Sequence, residues 1–150
     1  MNSRGKKGVA PVFTRILVGM DTSEAAGRAL DVALDLAEKY GAELRVLFVI
    51  ALPEYGATVG EVEEARSEGR KIIAPVLEQA TAKARQRNIP CETRVYPGHP
   101  AETLINYASQ EHCDLIVVGR RGSSPAKRFL LGSVSTRVTQ YAPCHVLVVK

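Results

Sequence analysis

After Asp114 the chain contains no aspartate or glutamate, although it carries 16 acidic residues in all. From Leu115 to Lys150 the only ionised side chains are the bases Arg120, Arg121, Lys127, Arg128, Arg137 and Lys150. Near the start, Arg4, Lys6 and Lys7 are likewise unbalanced, whereas from Val9 to Asp114 the acids outnumber 11 bases. The net charge of +4 is therefore an acidic body between two basic ends. An acid-free segment cannot supply the carboxylate-held metal on which phosphoryl transfer normally depends. It is the charge a polyanion site would show, and equally that of a solvated basic face or a nucleic-acid surface.

Other absences narrow the class further. No apolar run approaches the roughly 18 residues that argue for a membrane-spanning helix. Cys91, Cys113 and Cys144 are odd in number, widely spaced and without a CxxC pair. That pattern fits neither a disulfide framework nor a zinc cluster, and reads as small buried hydrophobes. Residues 1–14 are basic but lack the apolar core of a signal peptide. We therefore expect a flexible basic tail over residues 1–12, one domain over residues 13–150, and a cytoplasmic protein. There is no internal repeat and no low-complexity segment. Neither GxxxxGK followed by Ser or Thr nor GxGxxG occurs, which excludes a Walker-type NTPase and the dinucleotide fingerprint. No Ser-His-Asp or Cys-His arrangement is legible; His99 reads as a turn residue, and His112 and His145 have no paired ligand nearby in sequence. With 150 residues, 45% of them apolar, the chain can bury roughly two thirds of its unfolded surface.

What is present is a regular alternation of buried strands and amphipathic helices. Arg15 to Met20 reads as a strand, followed by an N-cap at Thr22 or Ser23. The next helix carries Ala26, Leu30, Ala33, Leu34 and Ala37 on one stripe and stops at Gly41. Leu44 to Ile50 is a second strand, and Leu52 to Gly60 a loop. A long helical region over Glu61 to Arg87 has Ile72, Ile73, Val76, Leu77, Ala80 and Ala84 on its apolar face. Pro75 should kink it or open a separate helix. A short strand, Cys91 to Tyr96, precedes a Pro97–Pro100 turn, with Pro100 suited to a first helical position. The following helix has Ala101, Leu104, Ile105 and Ala108 inward. Leu115 to Val118, Ser133 to Tyr141 and His145 to Val149 complete a β-α-β-α-β-α-β-α-β order. Strands of this kind imply an α/β fold with an open parallel sheet of five strands and helices on both faces.

The most specific chemical pattern follows the fourth strand. Gly119-Arg120-Arg121-Gly122-Ser123 begins a Gly-x2-Gly-x9-Gly-Ser spacing that ends at Gly132-Ser133-Val134-Ser135. Glycines let backbone approach a ligand closely, and a helix N-terminus presents N–H groups and partial positive charge to an anion. Strand, glycine loop and hydroxyl-capped helix together make a seat for a nucleotide polyphosphate. Two alternatives stay open at this level. Gly119 to Gly122 also matches a GxxG loop that in KH domains clamps nucleic-acid backbone, although there it joins two helices. And Val146-Leu147-Val148-Val149, if it lies at the sheet edge, invites pairing with a second chain, which by itself could define a nucleotide-free interaction module.

The chain resembles the universal stress protein family, in its ATP-binding subgroup, over nearly all of residues 13–150. The resemblance rests on Ile16-Leu17-Val18-Gly19-Met20-Asp21-Thr22-Ser23, on Gly98-His99-Pro100-Ala101-Glu102, on Asp114-Leu115-Ile116-Val117-Val118-Gly119, on the glycine pattern, and on Ala142-Pro143-Cys144-His145-Val146-Leu147-Val148-Val149. The family usually has proline at the place of His145 and often histidine at that of Phe48. The resemblance implies strand order 3-2-1-4-5, an adenine nucleotide alpha hydrolase-like sheet, with Asp21 and Gly119 meeting at the switch point. It implies that Gly119 and Gly122 let the loop wrap phosphates, that Gly132 permits close approach, and that Ser133, Ser135 and the Ser133 and Val134 amides donate to phosphate oxygens. Asp21 would accept from ribose or adenine, Gly19 would line the base pocket, and Val49 backbone would read the adenine edge. Ser123 falls within the same loop. Arg120 and Arg121 either fork onto a phosphate or point to solvent. Asp21 and Ser133 also have a purely structural reading as helix caps.

The expectation is therefore an ATP-binding protein, with ADP or AMP as alternatives, acting as a dimeric nucleotide-dependent regulator in a stress response. The homodimer would form through Val146 to Val149, and any Mg2+ would be held mainly by the phosphates rather than by protein ligands. Catalysis would be at most slow ATP hydrolysis, because Asp21 is a single acid at the base end of the site. No catalytic or metal-ligating residue is assigned, and membrane and nucleic-acid partners are not expected.

Overall fold

The computed structural model describes residues 10–51, 56–120 and 131–150. In chain order the elements are β1 (Arg15–Met20), α1 (Glu24–Tyr40), β2 (Glu43–Ala51), α2 (Val59–Gln86), β3 (Cys91–Gly98), α3 (Pro100–Gln110), β4 (Leu115–Gly119), α4 (Ser133–Tyr141) and β5 (His145–Val149). The strands pair in parallel, in the order β3-β2-β1-β4-β5. Residues 1–9 of the expected tail and residues 52–55 of the expected loop lie outside the described residues.

The sheet is apolar on both faces because strand side chains alternate. Ile16, Val18 and Met20 of β1 join Leu44, Val46, Leu115 and Val117 under α1 and α2. Leu17 joins Leu47, Ile116 and Val118 under α3 and α4. Ile16, Leu17, Val18, Leu44, Val117 and Ile116 are fully buried; each such side chain contributes about 1.5–3 kcal/mol relative to exposure. Helix α1 buries a face made largely of alanine, namely Ala25, Ala26, Ala29, Ala33 and Ala37 with Leu30 and Leu34. Small side chains let its axis approach the central strands closely. Ser23 caps its start, with Oγ accepting the Ala26 N–H at 3.1 Å. Gly41 ends it at φ +66°, its N–H bonded to the Ala37 carbonyl.

Helix α2 departs from expectation in three ways. It starts at Val59, because Thr58 and Glu61 form a reciprocal capping box that overrides Gly60. The Thr58 backbone and side-chain hydrogen bonds hold the Glu61 carboxyl below its ordinary pKa. The helix runs unbroken through Pro75, so Pro75 starts no separate helix; the missing proline N–H costs one helical bond. And Ile72 is 59% exposed, while Ile73, Ala80 and Ala84 are buried and Val76 and Leu77 pack against the core. At about 100° per residue, Ile73, Ala80 and Ala84 fall on one line flanked by Val76 and Leu77, whereas Ile72 lies beyond Val76, outside the buried stripe. Strand β3 also runs two residues past Tyr96, pairing Ile50 with Pro97 and Ala51 with Gly98. It is an edge strand, where a proline need not donate to a ladder on its outer side.

The amino ends of the strands are tied by charge. Asp114 accepts hydrogen bonds from the Thr14 N–H at 2.8 Å, the Thr14 hydroxyl at 2.7 Å and the Arg15 N–H at 3.2 Å, fixing β1 beside β4. Arg45 on β2 pairs with Glu43 at 3.2 Å and with Glu92, and lies 3.5 Å from the Tyr107 hydroxyl. Hydrogen bonds from Arg45 and Arg15 hold the Glu43 carboxyl below its ordinary pKa. This network occupies the end of the sheet opposite the site described next.

Candidate functional site

The order β3-β2-β1-β4-β5 makes the chain reverse its winding between β1 and β4. From β1 it turns to α1 on one face, and from β4 it continues to α4 on the other. The two connections diverge and leave an opening beyond the carboxyl ends of the strands. A crevice of about 230 Å³ lies there. Its walls come from Gly19, Met20, Asp21 and Ser23 after β1; Leu47, Val49 and Ala51 of β2; Pro100 and Leu104 of α3; Val118 and Gly119 of β4; and Gly132, Val134 and Ser135 at the start of α4.

Of the residues singled out from sequence, Gly19, Asp21, Val49, Gly119, Gly132, Val134 and Ser135 thus share one crevice. Ser133 lines an adjoining recess with His99, Glu102 and Arg137. Arg120 donates its backbone N–H to the Val149 carbonyl at 2.7 Å, extending the β4–β5 pairing by one bond. Arg121, Gly122 and Ser123 lie outside the described residues.

Three helix N-termini, those of α1, α3 and α4, open on the crevice through Ser23, Pro100 and Gly132. They are not equivalent. The first turn of α1 is capped by Ser23. Helix α4 has Gly132 as its N-cap, which offers no side-chain bond; its first intrahelical bond is the Thr136 N–H to the Gly132 carbonyl at 2.9 Å. The N–H groups of its first turn therefore have no side-chain cap. His99 likewise makes no capping bond to α3, and Pro100 has no N–H to offer.

Individual side chains have specific local roles. Asp21 accepts the Ser23 N–H at 2.7 Å. It thereby shapes the turn into α1, while Ser23, rather than Asp21 or Thr22, is the helix cap. Ser135 is 2% exposed, and its hydroxyl donates to the Gly132 carbonyl at 3.0 Å. In this structure its one proton goes to the Gly132 carbonyl, so the expected donation from Ser135 to a phosphate oxygen would have to break that bond. Gly132 has φ −61°, which any residue adopts, so its backbone conformation does not require glycine. Gly119 has a reason that sequence did not reveal. A Cβ there would lie 2.5 Å from the carbonyl carbon of Ala25, 2.6 Å from its oxygen and 2.8 Å from the Ala26 nitrogen. The end of β4 is pressed against the backbone of α1, and only glycine fits between them. At Gly19 the obstacle is a side chain, Leu104 Cδ1 at 2.8 Å.

Sequence reasoning missed Met20, Leu47, Ala51, Pro100, Leu104 and Val118 as wall residues and took Ser23 only as a cap. Leu47, Val49 and Ala51 are alternate positions of one strand, so naming Val49 could have brought in the other two. The result is a cavity with an apolar interior (Leu47, Val49, Leu104, Val118, Val134), one carboxylate among its described lining residues, Asp21, and two helix starts, those of α3 and α4, whose N-cap residues make no side-chain cap bond. It suits a flat, weakly polar group joined to an anion.

Comparison with known proteins bears on the family and the fold. The family model described as the universal stress protein family matches residues 13–150. Universal stress protein YxiE of Bacillus subtilis is 35% identical over 93% of this chain and 100% of its own length. Universal stress protein UspA from Lactobacillus plantarum superimposes with a TM-score of 0.83 at 29% identity, over 92% of this chain and 98% of that one. A universal stress protein solved in complex with cAMP gives a TM-score of 0.73 at 29% identity, over 93% and 98% of the two chains.

Proposed function

Because this chain belongs to the universal stress protein family, we propose that its switch-point crevice binds an adenine nucleotide, with ATP as the preferred ligand. One observation carries the reading: an apolar pocket and the uncapped N-terminus of α4 open on the same cavity, together with the starts of α1 and α3. The base lies against Leu47, Val49, Leu104 and Val134, and Asp21 accepts from the ribose. The phosphates sit at the first turn of α4, where N–H groups and the helix dipole favour negative charge. The absence of acidic residues after Asp114 keeps that end of the site free of repulsion from its own segment. Neighbouring similarity supports the ligand class, since one similar structure is a cAMP complex. Any Mg2+ is held by the phosphates and water, because Asp21 is the one carboxylate among the described lining residues and already accepts from Ser23.

We read the outcome as binding rather than efficient turnover, and the protein as a dimeric nucleotide-dependent regulator. Strand β5 is a sheet edge whose residues Val146 to Val149 are only half-buried, which favours pairing with a second copy. The bond from Arg120 to Val149 joins the first residue after β4 to the last residue of that edge strand, so the nucleotide acts on the dimer edge through one backbone link. Isothermal titration with ATP, AMP and cAMP tests the ligand: saturable heat with ATP tightest is expected. No heat and no thermal shift at millimolar nucleotide would sink the proposal. Sedimentation with and without ATP tests the regulator; a dimer indifferent to nucleotide would leave the crevice without a role in assembly.

A further inference from the structure

A second recess of about 290 Å³ lies away from the crevice, between the first half of α2 and the carboxyl ends of β2 and β3. Its lining is Ile50, Arg66, Arg70, Val95 and Pro97. Arg66 and Arg70 are one turn apart on α2, where like charges repel by about 0.2–0.5 kcal/mol. Neither has an ion pair among the described residues, in contrast to Arg15, Arg45, Arg87, Arg94 and Arg137, which all pair with carboxylates. Helical spacing gives Arg66 one acidic neighbour, Glu63, and gives Arg70 none. The Arg66 Nε is buried with no hydrogen-bond partner among the described residues. A buried donor left unmade costs about 1–3 kcal/mol, more when charged.

Close packing holds this arrangement in place. Gly69, between the two arginines, sits over Ile50, so that even a Cβ there would lie 3.6 Å from Ile50 Cδ1. That is ordinary van der Waals distance, so α2 rests on the strand ends at Ile50 and carries Arg66 and Arg70 beside an apolar floor. Two guanidinium groups, one unpaired buried N–H and a floor of Ile50, Val95 and Pro97 are complementary to an oxyanion, which an arginine fork binds through parallel charge-assisted bonds. We propose that Arg66 and Arg70 form a second, independent anion site that takes the phosphate or carboxylate group of a small molecule. It shares no lining residue with the crevice and does not depend on nucleotide binding there.

The test is a titration of the isotopically labelled full chain with inorganic phosphate, kept saturated with ATP, following the arginine Nε–Hε and backbone N–H resonances by NMR. The expected result is saturable movement of the Arg66 Nε–Hε signal and of the Arg66, Gly69 and Arg70 amides. Sodium chloride at matched ionic strength should produce no such movement. Arg66→Gln and Arg70→Gln should each weaken the phosphate titration at least tenfold and leave the ATP titration unchanged. Should a glutamine variant fail to fold, Arg66→Lys, which keeps the charge and loses the fork, should weaken phosphate severalfold. Succinate is titrated in the same way: saturation by either anion supports the site, and the tighter of the two shows whether the pocket prefers phosphate or carboxylate. Movement that is linear in both anions, that chloride reproduces, or that the arginine variants leave intact would overturn the site.

Discussion

A single methyl group added at Gly119 should loosen both the fold and the crevice. The new carbon would lie 2.5 Å from the Ala25 carbonyl carbon, 2.6 Å from its oxygen and 2.8 Å from the Ala26 nitrogen. All three are backbone atoms of the first turn of α1, so no side-chain rotation relieves the clash. Either α1 or the end of β4 must move. Overpacking of this kind costs about 1–3 kcal/mol, and alanine regains roughly 0.5–1 kcal/mol of the entropy that glycine loses in a strand. The net is about 1–2 kcal/mol, equivalent to a fall in Tm of about 2–8 °C for a chain of this size. Gly27 on α1 is the matched control, because nothing lies within 4 Å of a Cβ built there. Gly27→Ala should stabilise by up to about 1 kcal/mol through helix propensity alone. Urea unfolding of the two variants, compared at unchanged m, reads the sign of each effect. Since Ser23 and Gly119 both line the crevice, Gly119→Ala should also weaken ATP, whereas Gly27→Ala should not. A Gly119→Ala protein as stable as its Gly27→Ala counterpart would refute the packing argument.

Three further outcomes follow from the same contacts. Gly132→Val should abolish ATP heat in calorimetry while changing Tm little, because its φ of −61° suits any residue; binding within about twofold of normal would show that the phosphates sit elsewhere. Ser23→Ala removes the cap of α1 and should cost about 1 kcal/mol, seen as a lower urea midpoint. Cys113 has its thiol pushed up to about 12 by burial, from a usual 9. The folded state therefore favours the protonated form, so this contribution to stability is complete below about pH 9 and is lost as pH rises towards 12. Alkylation by iodoacetamide at pH 8 should accordingly be slow until denaturant is added, and rapid labelling of Cys113 in the native protein would contradict its burial.

Much of the architecture was legible because it depends on local chemistry. Strand and helix alternation, the Ser23 cap and the Gly41 stop follow from side-chain periodicity and backbone conformation, and they appear in the structure within a few residues. The errors arose where two local signals conflicted. Gly60 concealed the Thr58–Glu61 capping box, Pro75 argued for an interruption that the packed helix tolerates, and Ile72 was placed on a buried face whose edge lies at Val76. Strand order was not legible from periodicity and entered through family resemblance, since pairing between β1 and β4 joins residues about a hundred positions apart.

By itself the sequence determined the class of fold, the acid-free basic segment after Asp114 and the glycine spacing that marks a ligand loop. These are properties of composition and short-range pattern. The tertiary structure alone decided what those residues do to one another. It brought Asp21 and Gly132 to one cavity, turned the Ser135 hydroxyl towards the Gly132 carbonyl, and left the Arg66 Nε buried without a partner among the described residues. It also gave Gly119 its reason for being glycine. In sequence that residue reads as one that lets backbone wrap a phosphate; in the fold it is also the point where β4 touches the α1 backbone. Steric exclusion between segments distant in the chain exists only once the sheet has formed.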